Sequence, residues 1–145
     1  MKVVEKSLQV VETLEVDSLV AIGGGSAVGL AKAIALHTDL PILALPTTYA
    51  GSEMTPIWGI TEDWVKKTGK SFTVKPKTVI YDSDFTITLP AGLTVTSGMN
   101  AVAHCVEGIY AENKNPIISL LAEDGIRSIC GDWCFFLQSV FIINI

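Results

Sequence analysis

Apolar positions in the first fifteen residues recur at helical spacing. Val4, Leu8, Val11 and Leu14 follow an i, i+4, i+7 rhythm that predicts an amphipathic helix over residues 2–15. The rhythm then breaks: Leu19 to Ile22 is a continuous apolar run, the pattern of a strand in a parallel sheet covered on both faces. A helix is predicted over 26–37, and Pro41–Pro46 repeats the buried-strand pattern. Helix, strand, helix and strand in short succession predict an α/β sheet with right-handed crossovers. Farther on, Ile57, Trp58 and Ile60, then Phe72 and Val74, flank the polar segment 62–71 and predict a β-hairpin. Thr78–Tyr81 reads as another strand, ending at Asp82.

From Leu89-Pro90 onward the periodicity becomes helical, over 93–97, 98–111 and 116–129. The chain is therefore expected to form an α/β domain over residues 1–88 and the start of an all-helical domain over 89–129. Residues 130–145 fit neither pattern. Trp133, Phe135, Phe136, Val140, Phe141, Ile142, Ile143 and Ile145 crowd together with no charge after Asp132. Such a segment would aggregate unless buried. It is read as an atypical tail rather than the natural continuation of the fold, against the alternative of a buried C-terminal strand or helix. Its 13-residue apolar run, Trp133 to Ile145, is too short for a membrane span, which needs about 20 residues.

Composition narrows the function. Nearly half of the 145 residues are hydrophobic, enough for a real core, so disorder is not expected. The net charge of −5 argues against nucleic-acid binding, and the only dense basic patch, Lys66, Lys67 and Lys70, sits beside Glu62 and Asp63. Cys105, Cys130 and Cys134 are odd in number and lack a second pair to complete a zinc site. Reduced thiols in a cytoplasmic protein fit them best. The N-terminus carries no signal-peptide pattern.

The run Leu19-Val20-Ala21-Ile22-Gly23-Gly24-Gly25-Ser26 carries the first chemistry. A strand enters three glycines, and Ser26 supplies a hydroxyl that can cap the following helix. Residues without side chains let backbone N–H groups approach an anion, and the helix N-terminus adds roughly half a positive charge. A phosphate or pyrophosphate is the natural guest; the plain alternative is a tight turn with no ligand. The G-x-G-x-x-G fingerprint fails, because its last position falls on Val28. Gly69-Lys70-Ser71 resembles the end of a P-loop, yet the earlier glycine falls on Trp64, so it reads as a solvated turn.

The second strand leads into Pro46-Thr47-Thr48-Tyr49-Ala50-Gly51-Ser52-Glu53-Met54-Thr55. Open α/β sheets bind ligands at the carboxyl ends of their strands. The loop's hydroxyls can donate to phosphate, ribose or a carboxamide, or can simply cap a turn. On the helix predicted over 98–111, Asn100 and His104 stand four apart, with Glu107 on the same face. A carboxylate at position 100 would make a metal half-site; a neutral amide makes a poor one. A core histidine bonded to Asn100 or to a backbone carbonyl is the plain reading of His104.

Five segments in order, GGGSAVGLAKAIAL, LPTTYAGSEMTPIWGITE, PKTVIYD, LPAGLTVTSGMNAVAHCVEG and NPIISLLAEDGIRSI, resemble the iron-containing alcohol dehydrogenase superfamily and, within it, the maleylacetate reductases. The resemblance runs from about residue 17 to 129. It implies part of a Rossmann-like dinucleotide-binding domain followed by the start of a helical domain. Metal-dependent members show Asp where this chain has Asn100, a longer TTAGTGSE-type loop where it has TTYAGSE, and often Asp at the position of Gly29. These departures match the reductase branch, which works without a metal.

The implied activity is NADH- or NADPH-dependent reduction of maleylacetate to 3-oxoadipate in aromatic-compound catabolism. Gly24, Gly25 and Ser26 would hold the pyrophosphate, and Thr47, Thr48 and Ser52 would line the nicotinamide. Tyr49 would border the substrate, with His104 and Asn100 at the catalytic cleft. A dicarboxylate substrate also needs a cation, for which Lys66, Lys67 and Lys70 are candidates. Relatives are roughly twice this long and often homodimers, so the chain itself is expected to be inactive or weakly active. A metal-dependent alcohol dehydrogenase, or a non-catalytic dinucleotide-binding or subunit-interaction fragment, are the alternatives. Neither a nucleic-acid partner nor a membrane is expected.

Overall fold

The computed structural model describes residues 2–62 and 64–142, with side chains from Val3 to Thr61 and from Trp64 to Gly131. They fall into two compact units, Met1–Thr94 and Val95–Ile145.

In the first unit, helix α1 (Lys2–Leu14) precedes strand β1 (Leu19–Gly23), helix α2 (Gly25–Thr38) and strand β2 (Ile42–Pro46). Strand β5 (Thr78–Val79) completes a parallel sheet of order β1-β2-β5. The register sets Leu19 beside Ile42 and Gly23 beside Pro46, so β1 and β2 end level with each other. Helix α2 is the hub of this unit: it packs on β1 and β2, on the hairpin, and beneath α1. Its close approach to the sheet rests on small side chains. Ala21, Ala31, Ala35 and Ala44 form the core with Val28 and Ile42. Val4 of α1 is buried, as is Ile34 of α2, whereas Leu14 at the far end of the predicted stripe is exposed.

The expectation of a sheet covered on both faces holds for one face only among the described residues. Ala21 points into the core, while its neighbours Val20 and Ile22 are 62% and 59% exposed. Alternate side chains of a strand face opposite ways, so β1 presents one apolar face outward.

The hairpin forms, but with a different return strand. Strand β3 (Ile57–Glu62) pairs with β4 (Val65–Lys70), setting Trp58 opposite Gly69. The polar stretch expected to be the loop is itself the strand. Lys66, Lys67 and Lys70 are exposed along it, and Gly69-Lys70 is extended, not a turn. Phe72–Val74 instead forms a 3-10 turn, because the Ser71 side chain accepts a hydrogen bond from the Thr73 amide at 3.3 Å and ends the strand. Val74 is then buried while Phe72 is exposed.

After the short helix α3 (Asp84–Ile87), helix α4 (Ala91–Tyr110) is continuous, where the periodicity predicts two segments, 93–97 and 98–111. Gly98 lies buried within it and does not break it. In the second unit α4 is followed by α5 (Pro116–Ile142). Small residues let the two helices touch: Gly108 faces Ile118 and Ala122, and Gly125 faces the Cys105 sulfur. The chain from Cys130 continues α5 through Ile142, where a separate tail was expected. The side chains of its aromatic residues, and residues 143–145, lie outside the described ones. No helix among the described residues is long and apolar enough to cross a membrane.

Candidate functional site

Because β1 and β2 are parallel and end level, the glycine turn and the hydroxyl-rich loop leave the same edge of the sheet. The Thr47 amide donates to the Gly23 carbonyl at 3.0 Å, tying the two exits together. Gly23 has φ +144, a backbone shape that side chains rarely tolerate. Gly24 has an ordinary φ of −80 but no room: a Cβ there would lie 3.0 Å from both Oγ1 and Cγ2 of Thr48. Beside it, Ala50 faces Gly25.

Gly24, not Ser26, is the N-cap of α2, and no side chain caps the helix. Ser26 sits inside the first turn with its side chain exposed, so the expected hydroxyl cap is not made. The Gly24 carbonyl receives the amides of Ala27 and Val28. The amides of Gly25 and Ser26, one turn too early for an internal acceptor, head the helix. This cradle has the make-up to take an anion: donors at a positive helix end, bare α-carbons beneath, and the Thr48 hydroxyl alongside. The residues present fit the diphosphate of a dinucleotide.

Behind the loop lies a polar network that the sequence reading did not single out. Lys32, in the middle of α2, is 1% exposed. Its ammonium donates to the carbonyls of Ser52 at 2.6 Å, Thr55 at 2.8 Å and Ile57 at 2.8 Å, and reaches Thr55 Oγ1 at 3.2 Å. Three N–H bonds thus meet three carbonyls, the full donor capacity of a lysine. Burial lowers the Lys32 pKa from its ordinary value, and the charge of Glu53 opposes that shift. Glu53 is 5% exposed and accepts a hydrogen bond from the Tyr81 hydroxyl at 2.9 Å. Loss of hydration, that hydrogen bond and the Glu53 charge push Tyr81 up to about 12. The signal that could have found Lys32 is its position as the one charged residue in the apolar run Ala27–Leu36.

Tyr49 is exposed in the loop beyond Thr48, and Ser52 opens a 3-10 turn, Ser52–Met54, gripped through its carbonyl by Lys32. Asn100 and His104 lie on α4, in the second unit. The His104 Nδ1 stands 3.5 Å from Glu107 Oε2, and both side chains are more than half exposed. Among the described residues no three His, Cys, Asp or Glu side chains gather as metal ligands. One imidazole and a neutral amide, the donors of the Asn100–His104 pair, do not fit a divalent cation.

The sequence profile of the iron-containing alcohol dehydrogenases matches residues 1–83, more than half of the chain. The chain belongs to the iron-containing alcohol dehydrogenase family. It is 56% identical over 126 residues to the maleylacetate reductase of Sphingobium indicum, a match covering 87% of this chain and 36% of that protein. The crystal structure of maleylacetate reductase from Agrobacterium tumefaciens superposes with a TM-score of 0.84 at 45% identity, covering 88% of this chain and 37% of that one. Sulfoacetaldehyde reductase from Bifidobacterium kashiwanohense, solved in complex with NAD+, has a TM-score of 0.80 at 27% identity, over 87% of this chain and 39% of that one. The chain thus spans little more than a third of the length of these iron-containing alcohol dehydrogenase relatives. Within that third lie the parallel sheet, the glycine turn and the hydroxyl loop, followed by helices. This is the α/β-then-helical order that the sequence predicts.

Proposed function

We propose that this chain carries the cofactor-holding part of an NADH- or NADPH-dependent reductase acting on maleylacetate, in the cytoplasm. The observation that carries the cofactor reading is the approach of Thr48 to Gly24, which makes the α2 amide end and the threonine loop one cradle. The amides of Gly25 and Ser26 would hold the diphosphate above the bare Gly24, and Thr47, Thr48 and Ser52 would border the nicotinamide. The 56% identity to a maleylacetate reductase supports the substrate.

A reduced nicotinamide bound there would supply a hydride to one alkene carbon of maleylacetate, with solvent water giving the proton to the neighbouring carbon. The chain's own part is to meet the charge that such a reduction places on the conjugated keto oxygen. In this reading His104 and Asn100 donate hydrogen bonds to substrate oxygens, Tyr49 borders the pocket, and an exposed lysine of β4 meets a substrate carboxylate. No metal is required, and the full-length form is a homodimer.

The test is titration of the chain with NADH, followed by fluorescence, and then addition of maleylacetate with and without a chelator. Saturable NADH binding is expected. Any maleylacetate-dependent oxidation of NADH should survive the chelator. Absence of NADH binding overturns the cofactor reading, and loss of turnover on chelation overturns the metal-free one.

A further inference from the structure

Lys32 lies outside the glycine turn and Thr48: its ammonium bonds to Ser52, Thr55 and Ile57 farther along the loop. A fully buried lysine is costly unless every N–H is met. Here all three are met by one short stretch of backbone, Ser52, Thr55 and Ile57, from 20 to 25 residues farther along the chain. The Ser52–Met54 turn and strand β3 also pack on α2, and the ammonium adds the hydrogen bonds that tie their carbonyls to the helix. The Thr55 hydroxyl reinforces the grip by donating to the Ser52 carbonyl at 3.2 Å. From the other side, Tyr81, just past β5, holds the Glu53 carboxylate.

The loop's other end is fixed by the Thr47 amide on Gly23. Between these two anchors lie Thr48, Tyr49, Ala50 and Gly51, whose Gly51 has φ +76. A segment pinned at both ends has few ways to place Thr48, and the way it adopts is against Gly24. Loosening the far anchor would free Thr48 from the helix end without touching the glycine turn itself.

We infer that Lys32 is a positioning residue for the cofactor loop: by holding the carbonyls of Ser52, Thr55 and Ile57 it keeps Thr48 against the amide end of α2. The inference rests on the cofactor reading above. It adds a residue that touches neither cofactor nor substrate and acts only through the loop.

The test compares the chain with Lys32→Met, which keeps the aliphatic stem and removes the donors. NADH affinity is read by fluorescence, and amide hydrogen exchange is read separately over 47–57 and over Ala31–Ala35 of α2. Lys32→Met is expected to speed exchange in 47–57, leave α2 protected, and weaken NADH binding about tenfold or more, the scale of a lost set of charge-assisted hydrogen bonds. Faster exchange in the loop with unchanged NADH affinity overturns the inference. So does exchange that rises equally in loop and helix, which marks a purely structural lysine. If Lys32→Met does not fold, Thr55→Val removes only the hydroxyl contacts. It should then weaken NADH binding about threefold with α2 still protected, and an unchanged affinity overturns the inference. If the unaltered chain binds no NADH, the cofactor reading itself has failed, and the role of Lys32 falls with it.

Discussion

Thr48 occupies the space that a side chain on Gly24 would need, with its hydroxyl oxygen and its methyl group each 3.0 Å from the position of the missing Cβ. Two loops that are 24 residues apart in sequence are thereby one surface. Any side chain at position 24 must displace Thr48 or be displaced by it. Gly24→Val is expected to weaken NADH binding about tenfold or more, with a thermal midpoint that moves by a few degrees at most. Fluorescence titration beside a melting curve checks this, and equal affinity in the two chains would remove Gly24 from the cradle.

Gly23 presents a different constraint. At φ +144 it adopts a backbone that any Cβ strains, and that Cβ would also lie 2.9 Å from the Cβ of Ala27. Gly23→Ala is expected to destabilise the first unit by about 1–3 kcal/mol. The fall should appear in urea unfolding whether or not ligand is present.

The hydroxyl of Tyr81 holds its proton up to about 12, against an ordinary 10.0. The folded chain therefore binds this proton more tightly than the unfolded chain does. Its contribution to stability is complete below pH 10 and is lost as the pH rises from 10 toward about 12. Lys32 shifts the opposite way, releasing its proton more readily when folded, so its effect on stability rises with pH just below 10.5. In Tyr81→Phe the tyrosinate absorbance that develops last in an alkaline titration should disappear. The fall of the urea midpoint above pH 10 should become shallower. Loss of a component that titrates with the other tyrosines, and not last, would show that Glu53 does not hold this hydroxyl.

On the hairpin, the Trp58 ring covers Gly69, where a Cβ would come within 2.5 Å of the indole. Gly69→Val must expel the ring from its seat on β4 and is expected to cost about 1–3 kcal/mol. A red shift of tryptophan emission would accompany that expulsion, but only against a fixed background, since Trp64 is already 99% exposed.

The parts of the fold that the sequence makes legible are those with one strong local cause. Leu19–Ile22 and Pro41–Pro46 are unbroken apolar runs, and the glycines between strand and helix have few other uses, so β1, α2 and β2 are predicted to within a residue or two. The return strand of the hairpin is missed because its residues, Val65–Lys70, are held by backbone pairing and not by an apolar pattern. The apolar pull of Phe72 and Val74 draws the prediction past them. Ser26 is misplaced as a cap because glycine caps leave no side-chain signal, so the nearest hydroxyl looks like the cap. Lys32 is overlooked for a related reason. Its partners are carbonyls, which every residue carries, so nothing in the loop's composition announces that a lysine will be met there. The joining of the threonine loop to the glycine turn was legible, because parallel strands must deliver their loops to one edge.

Strand β1 is an edge strand among the described residues, paired with β2 alone, and its Val20 and Ile22 side chains are exposed. A bare strand edge with apolar side chains beside it is a template for a further strand. Handled alone, the chain should therefore behave as an adhesive body whose apparent size grows with concentration. Any segment or protein able to lay one more parallel strand along Leu19–Gly23 should quench that growth.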